Sequence, residues 1–439
     1  MDKFIGHSTE AAVPHKTTRI KKLQIVFLTL IFLGGIINFL DRGSLSVANE
    51  AIRSDLGLSA TQFGLLLSAF SLSYGIFQLP SGLLLDKIGP RVILGGGLLI
   101  WSVMQAMAGV VNNFSHFIML RIGLGVGEAP FMPCGVKVIN DWFSAKERGI
   151  PVGIFNSSTT IGQAFAPPIL VALMLAFGWR IMFVIIGVAG IVISVCWLVW
   201  YKNRATYPLT QSEEEYLDGE DKTDSHEKAK GLAFKEWLGL FKYRSVWGMI
   251  LGFSGVNYTA WLYLSWLPGY LQSARGLSLS STGMIAGIPF LCGSIGMLVN
   301  GFLSDKLAQK GYSLIKTRKS FICLGLVISA FFTLLVVQAQ TTALAVTFIS
   351  LALFFIHFAG TSAWGLVQVM TPSKMVASVS SIQNFGSFIF ASIAPVLTGW
   401  VVDTTHSFNL ALVICSCVTF AGALCYFFVV KNPISEPQA

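Results

Sequence analysis

The feature that most constrains this chain is a series of apolar segments, each about as long as a membrane-spanning helix. A spanning helix needs about 20 predominantly apolar residues, and about twelve such segments follow one another between Ile25 and Val430. Only 12% of the 439 residues are charged, whereas soluble domains average about 25%. The sequence therefore predicts an all-α integral membrane protein with twelve transmembrane helices.

Charged residues between the segments are divided unequally among alternate loops. The loops on one side hold most of the basic residues: Lys87, Arg91, Lys146, Arg148, Lys306, Lys319, Lys374 and those of 202–244. The opposite loops hold only Arg53, Arg180 and Arg275. By the positive-inside rule, the basic loops and both termini lie in the cytoplasm, so we expect a multi-pass protein of the inner (cytoplasmic) membrane. The net charge of +9 then reflects topology, and we expect no nucleic-acid partner.

The polar segment 202–244 divides the chain and differs in kind from the short loops. It contains nine acidic residues with interspersed lysines, which is typical of a solvated linker, and a short helix is predicted near 212–218. We predict an N-terminal six-helix bundle with a cytoplasmic tail over 1–201, a cytoplasmic linker over 202–244, and a C-terminal six-helix bundle with a cytoplasmic tail over 245–439.

The two halves carry a weak internal repeat. The second helix ends in GLLLDK and the eighth in GFLSDK, so Asp86 and Asp305 are 219 residues apart (305 − 86 = 219). An asparagine–proline spacing of eleven residues recurs in the fifth and eleventh helices: Asn156 and Pro167, Asn384 and Pro395. Such repeats are common in secondary transporters, where the binding site lies near the midplane between the repeats.

Four charged residues lie inside apolar segments: Asp41 and Arg42 in the first, Arg121 and Glu128 in the fourth. A charge at the bilayer centre costs roughly 2.5–3.5 kcal/mol, so these side chains should face a polar interior. Arg121 and Glu128 are seven residues apart, about two helical turns, and project from one face of their helix. Asp41 and Arg42 project about 100° apart, so that one can face a substrate while the other faces the fourth helix.

These four side chains suit the binding of an anion and of protons. A guanidinium stays charged and matches the geometry of a carboxylate, so we predict that Arg42 or Arg121 binds a substrate carboxylate. The carboxyl groups of Asp41 and Glu128 are predicted to couple transport to protons. The alternative is a static ion-pair network between the first and fourth helices, in which Arg121 holds Glu128 or Asp41.

The sequence contains few motifs for disulfide, metal, phosphate-binding or catalytic chemistry. The seven cysteines lie in apolar segments without a CxxC pair, the histidines lack metal-ligand spacing, and the glycine clusters lack a phosphate-loop lysine. With no nucleophile–base motif either, we predict that the protein is not an enzyme and that it has no metal and no cofactor. His357, in the tenth helix, either titrates near neutral pH or forms an interhelical hydrogen bond.

The loop after the second helix reads GLLLDKIGPR and resembles the signature G-x-x-x-D-R-x-G-R-[KR] of the major facilitator superfamily. The resemblance covers the whole chain and implies a fold of two pseudo-symmetric six-helix bundles that rock around a central site. It implies gating or motif roles for Gly82, Asp86, Lys87 and Arg91 and, in the second half, for Asp305. Lys87 and Arg91 would face the anionic inner leaflet.

Four further stretches resemble the anion:cation symporter family: FLDR at 39–42, YGIFQLPSG at 74–82, RIGLGVGEAP at 121–130 and WFSAKER at 142–148. Bacterial members of that family mostly carry sugar acids and other organic anions together with protons. Stretches of the second half are most similar to galactonate, glucarate and galactarate carriers, whereas 155–168 is more similar to hexuronate carriers. The resemblance therefore implies a sugar acid and leaves its identity open.

The same resemblance implies substrate-binding roles for Tyr74, Asn257, Trp364 and Asn384. Thr159 stands where the family has a glutamine that contacts the sugar, so Thr159 is a further candidate for substrate binding and the pattern of substrate hydroxyls is open. The alternative for each of these residues is helix packing or an interhelical hydrogen bond.

These observations together predict a proton-coupled symporter that imports an organic anion by alternating access. The expected substrate is a sugar acid (an aldonate, an aldarate or a hexuronate). The alternative is an aromatic or other small carboxylate, such as a phthalate-like anion, because the aromatic residues Tyr74 and Trp364 fit either class. The expected partners are the anion, protons and membrane lipid, and the protein is expected to be a monomer.

Overall fold

The computed structural model describes residues 16–144, 147–218, 234–372 and 375–434. Lys146 and Lys374 therefore lie outside the described residues, as does the side chain of Asp86, whose backbone belongs to a helix. The helices that form the body of the protein are α1 (Thr18–Val47), α2 (Ala60–Ile88), α3 (Pro90–Ala108), α4 (Phe114–Trp142), α5 (149–177), α6 (179–200), α7 (Arg244–Gly269), α8 (Leu279–Gln309), α9 (Leu314–Gln338), α10 (Thr342–Met370), α11 (Val376–Thr405) and α12 (Asn409–Leu424).

The predicted number of spanning helices is confirmed. Ten helical stretches among the described residues are long and apolar enough to cross a membrane by length and composition. One of them, Gly149–Trp200, contains two spans, because Gly178 has a φ of 77° that turns the chain between α5 and α6. The remaining span is α7, whose 26 residues are mostly buried inside the protein.

Shorter elements complete the described backbone. The predicted linker helix is confirmed at Gln211–Asp218. Other short helices are Asn49–Leu56 and Phe234–Gly239, single 3-10 turns lie at Arg204–Thr206 and Leu240–Lys242, and π-helical turns follow α7 at Tyr270–Ala274 and α12 at Cys425–Val429. The division of the chain into two bundles and a linker stays a prediction, since residues 219–233 of the linker are not described.

The two halves of the chain pack against each other at the end opposite the basic loops. There α2 packs on α11, α8 packs on α5, and α1 packs on α7. The Asp403 carboxylate of α11 accepts hydrogen bonds from the first two backbone N–H groups of α2, those of Ala60 (2.8 Å) and Thr61 (2.7 Å). The Trp266 indole of α7 donates to the Pro395 carbonyl of α11 at 3.1 Å. These contacts close this end of the molecule, which we call the closed end.

The packing at the closed end follows the internal repeat. Gly64 of α2 lies so close to α11 that a Cβ at this position would overlap the Pro395 carbonyl. Gly283 of α8 lies 219 residues further along (283 − 64 = 219), and a Cβ there would lie 2.7 Å from Val171 of α5. The spacing that relates the two helix-end motifs thus also relates the two helix crossings, as expected for pseudo-symmetric halves.

At the basic end, the start of α1 binds the linker and a neighbouring loop. Thr17 donates to Glu213 of the linker helix at 2.7 Å, and Lys16 forms an ion pair of 2.8 Å with Glu147, which follows α4. Tyr216 also donates to Glu147. Hydrogen bonds from Lys16 and Tyr216 lower the pKa of the Glu147 carboxyl below its usual value. This cluster joins the start of α1, the segment after α4 and the linker helix outside the apolar helices.

Candidate functional site

The four charged residues of α1 and α4 come together in the interior of the first half. The Arg42 Nε atom lies 2.9 Å from Glu128 Oε2, which joins the two helices by an ion pair. Asp41, Arg121 and Glu128 are at most 1% exposed. The four side chains are thus enclosed in the interior, as the sequence predicts, and the two-turn spacing of Arg121 and Glu128 turns both toward α1.

Asp41 differs from Glu128 in its contacts. Asp41 forms no ion pair among the described residues; its hydrogen-bonding neighbour is the Trp101 indole, and the charges of Glu128, Arg121 and Arg42 all act on it. Glu128 uses one oxygen to hold Arg42. The two carboxyl groups thus divide into one fixed by an ion pair and one enclosed without an ion pair.

The two arginines occupy different surroundings. The Arg42 guanidinium lies against aromatic rings from both halves, with its central carbon 4.6 Å from the Tyr74 ring centroid and 5.8 Å from that of Trp261. Arg121 lies deeper, 4.9 Å from the Phe70 ring centroid, and its Nε and Nη1 atoms have no hydrogen-bond partner among the described residues. Only Arg42 of this pair reaches the cavity described next.

A central cavity of about 250 Å³ lies between the two halves. Arg42 lines it from α1, Asn257 from α7 and Trp364 from α10, all three of them predicted site residues. The other polar residues of its lining are Gln163, His357 and Thr361, and most of the rest is aromatic or aliphatic. The arrangement offers one cation and several neutral polar groups to a small ligand.

A second cavity of about 260 Å³ lies toward the basic end. Gln78 and Gly82 line it from α2, Asn384 lines it from α11, and Trp364 lines both cavities. Trp364 is 41% exposed and packs edge-on against Phe253, with ring centroids 5.6 Å apart. The indole therefore stands between the central cavity and the route to the basic end.

A chain of hydrogen bonds crosses between the halves beside this route. Gln78 donates to the Tyr74 hydroxyl at 3.0 Å, and Asn384 of α11 donates to the Gln78 amide oxygen at 2.8 Å. Asn257 does not join this chain directly, since it donates to Ser387 at 2.7 Å. Gln78, which lies on the same face of α2 as Tyr74, therefore links Tyr74 to Asn384.

The remaining predicted residues lie away from the central cavity. The Thr159 hydroxyl donates to the Asn156 carbonyl of its own helix at 2.7 Å, and Thr159 does not line either of the two cavities. Arg91 donates to the Leu198 carbonyl of α6 at 2.7 Å and so fixes the loop between α2 and α3. Lys87 and Asp305 are exposed at the basic end. Their predicted roles stay predictions.

Two residues of the cavity lining were not singled out from the sequence as ligands. Gln163 lies one helical turn beyond Thr159 on α5, and Thr361 lies one turn beyond His357 on α10. The available signal was a polar side chain at helical spacing from a suspected site residue. That signal gives a helix face, but it does not say which turn lies level with Arg42.

Comparisons with known proteins identify similar sequences and structures. The sequence profile of the Major Facilitator Superfamily matches residues 31–395. A probable L-galactonate transporter of Escherichia coli (strain K12) is 57% identical, covering 96% of this chain and 93% of its own. A probable galactarate/D-glucarate transporter of the same strain is 32% identical, covering 93% and 95%.

Among solved structures, a bacterial homologue of the human lysosomal transporter Spinster, inward-facing and unoccupied, has a similar fold. Its TM-score is 0.78, with 17% identity, and the match covers 97% of this chain and all of that one.

Proposed function

The chain belongs to the Major Facilitator Superfamily, and from this premise we propose that it is a proton-coupled symporter that imports a sugar acid by alternating access. The family and the curated relatives are transporters, so the chain is a transporter and not an enzyme. The observation that carries the proposal is the ion pair between Arg42 and Glu128 at the wall of the central cavity. In this proposal Arg42 binds the anion and Glu128 binds the proton, and the direct contact between the two side chains supports it.

The ion pair suggests how anion binding and proton binding are coupled. While Glu128 is ionised, it occupies Arg42 at 2.9 Å and competes with a substrate carboxylate for the same guanidinium. A proton on Glu128 removes its charge, so that Arg42 can form its charge-assisted hydrogen bonds with the substrate instead. Loss of the proton on the other side of the membrane restores the ion pair and releases the anion.

Asp41 is the second proton-binding group in this proposal. It forms no ion pair among the described residues, so it can gain or lose a proton without breaking one. Arg121 is enclosed with Asp41 and Glu128 and does not line the central cavity. Its role is to hold the charge balance of the two carboxyls rather than to bind the substrate.

The contacts between the halves support alternating access. The closed end is sealed by α2 against α11 and α5 against α8, whereas both cavities lie on the path toward the basic end. By the positive-inside rule the basic end faces the cytoplasm, so this arrangement is the one that releases substrate inside the cell. Both termini are then cytoplasmic, in a multi-pass protein of the inner membrane that acts as a monomer surrounded by lipid.

The cavity lining supports a sugar acid as the substrate class. Gln163, Asn257, His357 and Thr361 offer hydrogen-bonding groups that a polyhydroxylated chain can use and an aromatic acid cannot. Two curated relatives are named for galactonate and for galactarate or glucarate. An aldonate, an aldarate and a hexuronate all remain within this class.

Uptake into proteoliposomes tests the proposal. We expect the wild-type protein to accumulate a labelled hexonate when the outside is more acidic, and a protonophore to abolish the accumulation. Glu128→Gln should lose accumulation and keep some exchange of internal for external substrate, because the neutral amide mimics the protonated acid permanently. Glu50→Gln, at an exposed position near the closed end, is the matched control. Full accumulation by Glu128→Gln would exclude the coupling role, and accumulation that survives the protonophore would exclude proton symport.

A further inference from the structure

The side of the central cavity formed by α5, α7 and α10 contains four neutral polar residues that we call the tail subsite: Gln163, Asn257, His357 and Thr361. We infer that this subsite binds the hydroxylated end of the substrate, so that the transporter selects a monocarboxylate hexonate over the hexarate with the same hydroxyl stereochemistry. The inference rests on the proposed function and narrows its substrate class.

Charge is the first reason. Arg42 is the only lysine or arginine among the described residues that line the central cavity. A hexonate has one carboxylate, which Arg42 can bind. A hexarate has a second carboxylate at the other end of its chain, and that group would be desolvated without a cationic partner, which is costly in a membrane interior.

The imidazole of His357 is the second reason. Its Nδ1 atom lies 2.9 Å from the Leu353 carbonyl oxygen, and because a carbonyl only accepts, Nδ1 must carry the hydrogen. In a neutral imidazole the other nitrogen, Nε2, is then an acceptor. An acceptor on the cavity wall attracts the O–H of a hydroxyl group and repels a carboxylate, which has only acceptor oxygens.

Thr361 has the same preference, because its only donor is already used. The Thr361 hydroxyl donates to the His357 carbonyl at 3.0 Å, which leaves lone pairs of oxygen for a ligand. The Asn257 amide donates one of its two N–H groups to Ser387 at 2.7 Å, so it keeps one donor and its oxygen acceptor. His357 and Thr361 therefore present acceptors, and Asn257 is a neutral group that can donate or accept.

Gln163 completes the subsite as a group that can both donate and accept. Its side chain has no hydrogen bond to the described residues, yet it lines the cavity and is partly buried. A neutral amide can donate to a hydroxyl oxygen and accept from a hydroxyl hydrogen. One such amide does not supply the charge that a second carboxylate would need.

A titration series on the purified full-length protein tests the inference. The ligands are L-galactonate, galactarate, in which C6 is a second carboxylate, and L-fuconate, which lacks the C6 hydroxyl. We expect galactarate and L-fuconate each to bind about tenfold more weakly than L-galactonate, since one end group is mismatched in each case. Galactarate binding as tightly as L-galactonate, or more tightly, would overturn the inference, while the proposed function would stand. No binding of any sugar acid would count against the function itself.

Substitutions locate the effect at the tail subsite. Thr361→Val removes the hydroxyl and keeps the shape, so it should reduce the tenfold preference for L-galactonate over L-fuconate. Thr347→Val is the matched control, because Thr347 lies on the same helix, donates to the carbonyl four residues earlier in the same way, and lines neither cavity between the halves. His357→Lys supplies a cation and should shift the preference toward galactarate. Unchanged ligand ratios in Thr361→Val and in His357→Lys would contradict the assignment.

Discussion

The two halves of the protein contribute differently to the central cavity. The first half places Arg42 on the wall, held by Glu128 behind it. The second half places Asn257, His357 and Thr361 on the wall, and no lysine, arginine or acidic residue among its described residues lines the cavity. The one cation of the cavity wall thus comes from one half, and most of its neutral polar side chains come from the other.

The two halves nevertheless share a repeated helix arrangement. The spacing of 219 that relates α2 to α8 places Gly293 at the equivalent of Tyr74 (293 − 74 = 219) and Met297 at the equivalent of Gln78 (297 − 78 = 219). Gly293 leaves room for His357, since a Cβ there would lie 2.7 Å from the imidazole Nδ1. The repeat therefore preserves helix packing, while single side chains give the two halves different polar groups at the cavity.

The largest expected effect comes from removing the cation of the charged half. Arg42→Gln should weaken hexonate binding and uptake by about 100-fold or more, because the substrate carboxylate loses its charged partner in a buried site, a loss of about 2–5 kcal/mol. Binding to purified protein and uptake by proteoliposomes measure the effect.

Arg121→Gln is the control for this prediction. Arg121 is more deeply buried than Arg42 and does not line the central cavity, so we expect its replacement to disturb proton coupling more than the dissociation constant of the substrate. An Arg121→Gln variant that loses substrate binding as completely as Arg42→Gln would show that the two arginines share the anion.

A smaller effect is expected where the two halves meet beside the cavity. Asn384→Ala removes the 2.8 Å hydrogen bond to Gln78 and should lower uptake by about tenfold, in line with 1–2 kcal/mol for a polar group left unpaired. Gln78→Ala should cost a similar amount, and the double variant should cost less than the sum. Strictly additive effects in uptake would mean that the bond is absent from the working transporter.

Much of this arrangement follows from the sequence, since burying a charge is so costly that four charged residues in apolar helices had to meet. The two-turn spacing of Arg121 and Glu128 placed both on one helix face, and the twelve spans followed from hydropathy alone. The sequence did not indicate that Gln163, rather than Thr159 one turn away, lines the cavity. Helical periodicity gives the direction of a side chain, but its height relative to other helices depends on how those helices pack.

At the closed end, a charged side chain of the second half contacts the backbone of the first half. Asp403 lies at the N-terminus of α2, where a negative charge is worth about 0.3–1 kcal/mol and up to about 2 kcal/mol when partly buried. Asp403→Asn should therefore raise the population of the outward-open state several-fold. Distances between spin labels on the two halves at this end measure it.

Asp55→Asn is the matched control for the closed end. Asp55 pairs with Arg180 at 3.0 Å and accepts from Trp179, both within the first half, so its loss should leave the distances between the halves unchanged. Equal shifts in the two variants would mean that Asp403 acts on general stability and not on the contact between halves.

The smallest expected effect lies at the basic end, where the first half uses a charge pair outside the membrane helices. Hydrogen bonds from Lys16 and Tyr216 lower the pKa of Glu147, so this carboxylate stabilises the folded protein above its unfolded-state pKa, and the contribution is lost as the pH falls through the lowered folded-state value. Because Glu147 is partly exposed, Glu147→Gln should cost no more than about 1 kcal/mol. Melting temperatures in detergent should differ slightly between wild type and variant at pH 7, and the difference should vanish in acid. A cost well above about 1 kcal/mol, or a difference that persists in acid, would mean that Glu147 belongs to a buried charge network and would remove the contrast between buried and exposed ion pairs.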